Sequence, residues 1–259
     1  MIEISWRVKT KQRGSDALNG GLNKIMANKI IIIHGWTYTI APWETTVGLL
    51  KQAGYDVLQL RVPGLTSESS EVWTVEGYVQ WLHEQLEGEE TPIVIGHSNG
   101  GRIALNYLQK YPESFAHLIL LNSAGVYVDP KKQSRKRKLF RLLAKTFAPL
   151  ARVPLLRKIV YRLLKSDYGR APENMKQTLH NMLESDAQLD LSRVKQAKIS
   201  ILWGENDAVT PLGMARVFAR ELPHAKLATF RDWGHAPYIT HPKELAQAIT
   251  RSLGKGDIR

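Results

Sequence analysis

Cysteine is absent from the 259 residues, which excludes disulfides and thiolate metal sites and suits a reducing compartment. Long hydrophobic runs are absent too; none approaches the ~20 residues that a membrane-spanning helix needs. The first twenty residues carry Arg7, Lys9, Lys11 and Arg13 but no apolar stretch, so no secretory signal peptide is expected. These absences predict a cytoplasmic protein, at most peripheral at a membrane. Acids are few relative to bases, 24 against 36, and the net charge is +12. Hydrophobic residues make up 43% of the chain, enough to bury the core of one large α/β domain. No internal repeat is present.

Short apolar runs alternate with helical spacings along most of the chain. Ile30 to Ile33 is a β-branched run that reads as a strand buried on both faces. Trp43, Val47 and Leu50 recur at helical spacing up to Gly54. Tyr55 to Val62 reads as a second strand, and Val75, Val79, Leu82 and Leu86 as a helix. Pro92 to Ile95 is a third strand. Ile103, Tyr107, Leu108 and Tyr111 mark the next helix, and Phe115 to Asn122 a fourth strand. This β-α-β rhythm predicts a parallel sheet covered by helices on both faces. It lapses from Val126 to Leu191, where three helical stripes replace it; the third carries Met175, Leu179, Met182 and Leu183 after Pro172. It resumes with strands at Ile199 to Trp203 and Lys226 to Phe230 and helices after Pro211 and Pro242. The expected organisation is a leader or edge segment at 1–26, an α/β core at 27–126 and 191–259, and a helical insertion at 127–190.

The chemistry is organised around Ile93-Val94-Ile95-Gly96-His97-Ser98-Asn99-Gly100-Gly101. An apolar strand runs into G-x-S-x-G and a helical pattern follows at once, which is the context of a nucleophile elbow. A turn that tight crowds the residues two before and two after the serine; Gly96 and Gly100 remove the Cβ atoms that would clash. The helix behind points free N–H groups at the place where negative charge would develop. Ser98 needs a base, and the base needs an orienting acid. In an open parallel sheet such groups lie beyond the carboxyl ends of strands. Trp203-Gly204-Glu205-Asn206-Asp207 follows one strand and offers Asp207 as the acid; Glu205, Asp232 and Asp129 are its rivals. Trp233-Gly234-His235 follows the last strand and offers His235 as the base. His83 and His117 fall in or beside regular elements and read as structural or solvated; His241 heads the last helix. Ser123 has no elbow and reads as a turn serine. Two oxyanion donors are expected, the backbone N–H of Asn99 and that of Trp36 in the His34-Gly35-Trp36 loop, where Gly35 permits the turn and His34 braces it.

Four motifs in this order, His34-Gly35-Trp36, Gly96 to Gly101, Trp203 to Asp207 and Gly234-His235, resemble the cap-bearing enzymes of the α/β-hydrolase fold. The resemblance spans residues 30–240. It implies a mostly parallel sheet with helices on both faces, an inserted helical cap, a Ser98–Asp207–His235 catalytic triad, an acyl-enzyme and no cofactor or metal. It implies a serine hydrolase, most simply a carboxylic ester hydrolase on a small-molecule ester or acyl substrate. Carbon–carbon bond hydrolysis, a haloperoxidase-like activity and acyl transfer use the same triad, and a hydrolase-fold binding or scaffold protein with little turnover is the non-enzymatic rival. A serine at the elbow argues against the family's dehalogenases and epoxide hydrolases, which use aspartate there. The family usually begins with an antiparallel hairpin, to which residues 1–25 match poorly.

The excess charge lies in one place. From Lys131 to Arg170 there are fourteen Lys or Arg and one acid, Asp167, a net of +13, so the rest of the chain sums to −1. A solvated helix face is one reading of this run. The other is a basic surface over the site's mouth that meets an anionic membrane surface or an acidic carrier protein. No nucleic-acid-binding motif accompanies it.

Overall fold

A computed structural model describes residues 28–126, 171–194 and 197–254. The expected leader or edge segment at 1–26 and most of the expected insertion at 127–190, including the basic run and Asp129, lie outside the described residues.

Six strands form one parallel sheet: β1 (Lys29–Ile33), β2 (Asp56–Gln59), β3 (Ile93–His97), β4 (His117–Leu121), β5 (Ile199–Gly204) and β6 (Lys226–Phe230). Their spatial order is β2-β1-β3-β4-β5-β6. Side chains of alternate parity enter two cores, as the pleat requires. Ile31, Ile33, Val94, Leu118, Leu120, Ile201 and Trp203 face α2 (Val75–Gln85), α3 (Asn99–Lys110) and, further on, Phe218. Ile30, Ile32, Ile93, Ile95, Ile119, Leu121 and Leu202 face α1 (Glu44–Gln52) and the C-terminal helix, with Trp43, Leu50, Leu245 and Ile249 between them. All four isoleucines of β1 are fully buried, each contributing about 1.5–3 kcal/mol of transfer free energy. The strand pattern of the sequence is met closely, with two shortenings: β4 covers His117–Leu121 of the expected Phe115 to Asn122, and β2 is cut at its end. β2 stops at Gln59 rather than Val62, because the carbonyl of Val62 turns to accept the N–H groups of Leu65, Thr66 and Ser67.

Ahead of β5, within the stretch expected to be an insertion, lies α4 (Glu173–Glu184), followed by turns of 3-10 helix at Ser185–Ala187 and, just beyond that stretch, Leu191–Val194. Met175 and Met182 are buried as expected, but Leu183 is 56% exposed. The buried face is instead partly polar. Asn174, Thr178 and Asn181 lie one helical turn apart. Asn174 donates to the carbonyls of Ser69 and Glu71, Asn181 donates to the carbonyl of Trp73, and Thr178 Oγ1 accepts the Trp73 N–H. The helix is docked by satisfying a loop's backbone, a role that a count of apolar residues does not register. Below it, Arg102 of α3 forks onto Asp186, Nε to Oδ1 at 2.6 Å and Nη2 to Oδ2 at 2.9 Å, with side-chain exposures of 4% and 11%. The third guanidinium nitrogen, Nη1, donates to Asn99 Oδ1. The remaining α-helices among the described residues are α5 (Leu212–Glu221), a short α6 (Pro237–Thr240) and α7 (Pro242–Ser252).

Removing one partner of a buried ion pair leaves the other charge uncompensated. Asp186→Ala is expected to lower the unfolding free energy by about 3–5 kcal/mol, read as a fall in the urea midpoint. A midpoint equal to that of the parent would show that the pair does not hold this segment to α3.

Candidate active site

Ser98 sits where β3 gives way to α3, with φ 51° and ψ −119°. That is a positive φ for a residue with a Cβ, and it persists because the surroundings over-determine it. The Ser98 N–H donates to the carbonyl of Leu121 on β4, and its carbonyl accepts the N–H groups of Gly101 and Ala124. A Cβ on Gly96 would lie 2.6 Å from the Gly101 Cα, and one on Gly100 would lie 2.0 Å from the Ile33 carbonyl oxygen. Gly101, which the five-residue pattern does not include, is equally constrained: its Cβ would fall 1.9 Å from Ser123 Oγ. Ser123 itself is buried and donates to the carbonyl of Ala124 at 2.7 Å, a turn serine.

The loop after β1 lies against Ser98 and His97. A Cβ on Gly35 would meet Ser98 Cβ at 2.8 Å and His97 Nδ1 at 2.9 Å. His34 braces this loop: Nδ1–H donates to the carbonyl of Gly35 at 2.7 Å, and Nε2 accepts the Thr66 hydroxyl at 2.7 Å. Burial lowers the pKa of His34, so it stays neutral in that tautomer. Trp36 follows on the same loop, half-buried, and Asn99 follows Ser98 directly.

The loops after β5 and β6 bring Asp207 and His235 together. Trp203 Nε1 donates to the carbonyl of Thr210, Trp233 Nε1 donates to Glu244, and the Asn206 N–H donates to the carbonyl of Trp233. A Cβ on Gly204 would lie 2.3 Å from the Trp233 carbonyl oxygen, so the two loops touch through that glycine. His235 Nδ1–H donates to Asp207 Oδ2 at 2.8 Å, and Nε2 accepts the Ser98 hydroxyl at 3.1 Å. This tautomer leaves Nε2 free to take the serine proton.

Asp207 has no side-chain exposure. Burial alone would raise its pKa. Hydrogen bonding and charge from His235, then the hydroxyl and N–H of Thr210, outweigh burial and hold the carboxyl below its usual range. Its Oδ1 accepts the N–H groups of Val209 and Thr210 at 2.7 and 2.8 Å. The rival Glu205 instead accepts the Thr229 hydroxyl, away from His235. His117 is buried in β4 against Ser200, and His83 stacks on Tyr111. Among the described residues no group of three or more His, Asp or Glu is placed to hold a metal ion. Nor is any helix there long and apolar enough to cross a membrane. Two residues at this centre had no signal in the sequence: Thr210, whose hydroxyl and N–H meet Asp207, and Asn122, just beyond β4, whose side chain bonds to Gly204, Gly234 and His235.

A parallel sheet with a serine elbow after its third strand, and with Asp207 and His235 hydrogen-bonded to each other after its last two, has the layout of a hydrolase-fold enzyme. Residues 30–248 match the alpha/beta hydrolase family, and the chain belongs to it. Among its relatives is a pimeloyl-[acyl-carrier protein] methyl ester esterase of Aromatoleum aromaticum, 26% identical over 85% of this chain and 96% of that protein. Another is a 2-hydroxy-6-oxononadienedioate/2-hydroxy-6-oxononatrienedioate hydrolase of Comamonas testosteroni, 26% identical over 88% of each. A similar fold is found in MGS-MChE2, an alpha/beta hydrolase from the sediment metagenome of the Mar Chica lagoon, with a TM-score of 0.62. The identity there is 24%, over 87% of this chain and 90% of that one.

Asp207→Asn is expected to keep the fold and lose about 10⁴-fold in kcat, since an amide favours the wrong tautomer of His235. Asp129→Asn is expected to leave kcat close to the parent value. Reversed results in ester assays would move the acid to the loop after β4.

Proposed function

We propose that the chain is a serine carboxylic ester hydrolase whose triad is Ser98, His235 and Asp207. The observation that carries this reading is the continuous chain of hydrogen bonds from Ser98 Oγ through His235 to Asp207. Ser98 Oγ attacks the ester carbonyl while His235 Nε2 takes its proton. The imidazolium returns that proton to the leaving alkoxide, and the acyl group stays on Ser98. His235 then takes a proton from water as the water attacks the acyl-enzyme, and gives that proton to the leaving Ser98 Oγ as the acyl–Oγ bond breaks and the acid is released. Asp207 holds the ring and stabilises the imidazolium throughout. The oxyanion of each tetrahedral intermediate is received by the N–H groups of Trp36 and Asn99. Each such donor is worth on the order of 2.7–4 kcal/mol of barrier in comparable enzymes. Gly35 brings the first donor's loop into contact with Ser98.

The substrate class we favour is a short ester carried on an acidic acyl carrier protein. Two features support it: relatives named as acyl-carrier-protein methyl ester esterases, and the net +13 of Lys131 to Arg170. The basic run belongs to the proposed helical cap at 127–190 and supplies long-range attraction for an acidic partner. The protein would act in the cytoplasm. Carbon–carbon hydrolysis is the second reading, favoured by the relative that cleaves a dienedioate.

The test compares a methyl ester on an acyl carrier protein, the same ester as a free thioester, p-nitrophenyl esters and a ring-cleavage dienoate. Ser98→Ala is expected to abolish fluorophosphonate labelling and to lose at least about 10⁴-fold in kcat. The carrier-bound ester is expected to give the highest kcat/KM, falling steeply with salt because exposed charges are screened over about 8–10 Å. Reversing Arg135, Arg137 and Arg141 to Glu should remove that advantage and leave p-nitrophenyl ester turnover intact. Equal kcat/KM for carrier-bound and free ester would refute the carrier, and turnover of the dienoate alone would favour the second reading.

A further inference from the structure

The carbonyl of His235 is held from two sides. β4 lies between β3, which leads into Ser98, and β5, which leads into Asp207. A residue just past the carboxyl end of β4 can therefore reach both loops, and Asn122 occupies that place. It is fully buried, with φ 43°, a conformation asparagine tolerates better than most residues. Its Nδ2 donates to the carbonyls of Gly234 at 2.7 Å and His235 at 3.1 Å, and its Oδ1 accepts the Gly204 N–H at 2.8 Å. One amide thus uses both its donor and its acceptor to hold the base loop against the end of β5. Its backbone carbonyl is also within 2.9 Å of the Thr210 hydroxyl, which lies 2.6 Å from Asp207 Oδ2. That hydroxyl has one proton for the two acceptors.

The second grip comes from the elbow. His97, the residue before Ser98, donates Nε2–H to the same His235 carbonyl at 2.8 Å. Its ring lies edge-on to Trp43 and Tyr238, and its Nδ1 is buried without a hydrogen-bond partner. That leaves Nε2 as the protonated nitrogen. Burial and the neighbouring His235 push the His97 pKa down to about 3, so the ring stays neutral across the working range. Around the Cβ position of Gly234 there is open space, so no side chain packs on the loop from that side.

We propose that His97 and Asn122 are positioning residues, two N–H donors on the backbone carbonyl of His235 that set where its imidazole sits between Ser98 and Asp207. The proposal rests on the reading of those three residues as the triad. The Ser98–His235 contact is already 3.1 Å, long for an oxygen donor. A further displacement of ~1 Å can cost up to about 100-fold in rate. Neither residue touches the reacting atoms; each acts through His235.

The experiment compares His97→Leu, His97→Gln and Asn122→Leu with the parent on a soluble p-nitrophenyl ester. Rates are normalised to sites titrated to completion with a fluorophosphonate, and melting temperatures are recorded beside them. A glutamine can place its amide nitrogen where Nε2 stood, whereas leucine fills similar volume and donates nothing. The two leucine variants are expected to lose roughly 10- to 100-fold in kcat per titrated site with KM little changed. His97→Gln should recover most of the loss. A merely structural role would lower the melting temperature and the number of titratable sites but leave kcat per site at the parent value, and that result overturns the proposal. Equal losses in His97→Gln and His97→Leu overturn it as well. Because the two positions lie on different elements, failure of one variant to fold leaves the other as a test. Failure of the triad reading is distinct: it would appear as labelling and turnover that survive Ser98→Ala.

Discussion

The backbone of Ser98 is the constraint on which the site depends. A residue with a Cβ at φ 51° and ψ −119° carries local strain, on the order of 1–3 kcal/mol. That conformation survives only where every neighbour permits a tight turn. Gly96, Gly100 and Gly101 let strand, turn and helix close on themselves, and Gly35 lets the loop after β1 lie against Ser98. The Leu121 carbonyl and Ala124 N–H fix the peptide groups on either side of the Ser98 Cα from β4 and the turn beyond it. The conformation is therefore held by three segments that meet only in the folded sheet, the elbow, the loop after β1 and the end of β4 with its turn, and the hydroxyl emerges at the sheet's carboxyl edge.

Histidine protonation is the second condition. His34, His97 and His235 lie around one centre, and two positive rings in so small a space would repel. Burial keeps His34 and His97 neutral, and a hydrogen bond fixes the tautomer of each. His97 stays neutral in the folded state, taking up no second ring proton until the pH approaches about 3, whereas its ordinary value is 6.5. Between those values the unfolded chain binds more protons, so stability falls as the pH falls through that window. Asp207 acts in the same direction at lower pH, since its carboxylate is favoured in the fold and its contribution is lost when it is protonated. The site is thus built for neutral conditions by the same burial that orients its rings.

Much of this was legible in the sequence because the signals were local. The isoleucine run of β1, the elbow glycines and the loops carrying Asp207 and His235 each declare themselves within a few residues. The parallel rhythm then brings the three loops to one edge of the sheet. What was not legible depended on partners distant in the chain. Asn122 looks like an ordinary strand end; its role exists only because Gly204, Gly234 and His235 arrive beside it. The polar face of α4 and the fork of Arg102 on Asp186 have the same origin, because polar side chains there satisfy groups roughly 80 to 100 residues away. The extent of β2 was overread because Leu60 and Val62 are apolar and buried, yet Val62 belongs to a turn. The basic run is the opposite case. Its composition is plain in the sequence, and Lys131 to Arg170 lies outside the described residues.

The central claim is that Ser98, His235 and the N–H groups of Trp36 and Asn99 surround one reacting carbonyl. The most direct measurement is a crystal structure of the protein after reaction with an alkyl fluorophosphonate, whose adduct imitates the tetrahedral intermediate. The expected result is a phosphorus bonded to Ser98 Oγ, with the phosphonyl oxygen about 2.7–3.1 Å from the backbone nitrogens of Trp36 and Asn99. An adduct on another residue, or a phosphonyl oxygen turned away from both nitrogens, would contradict the claim.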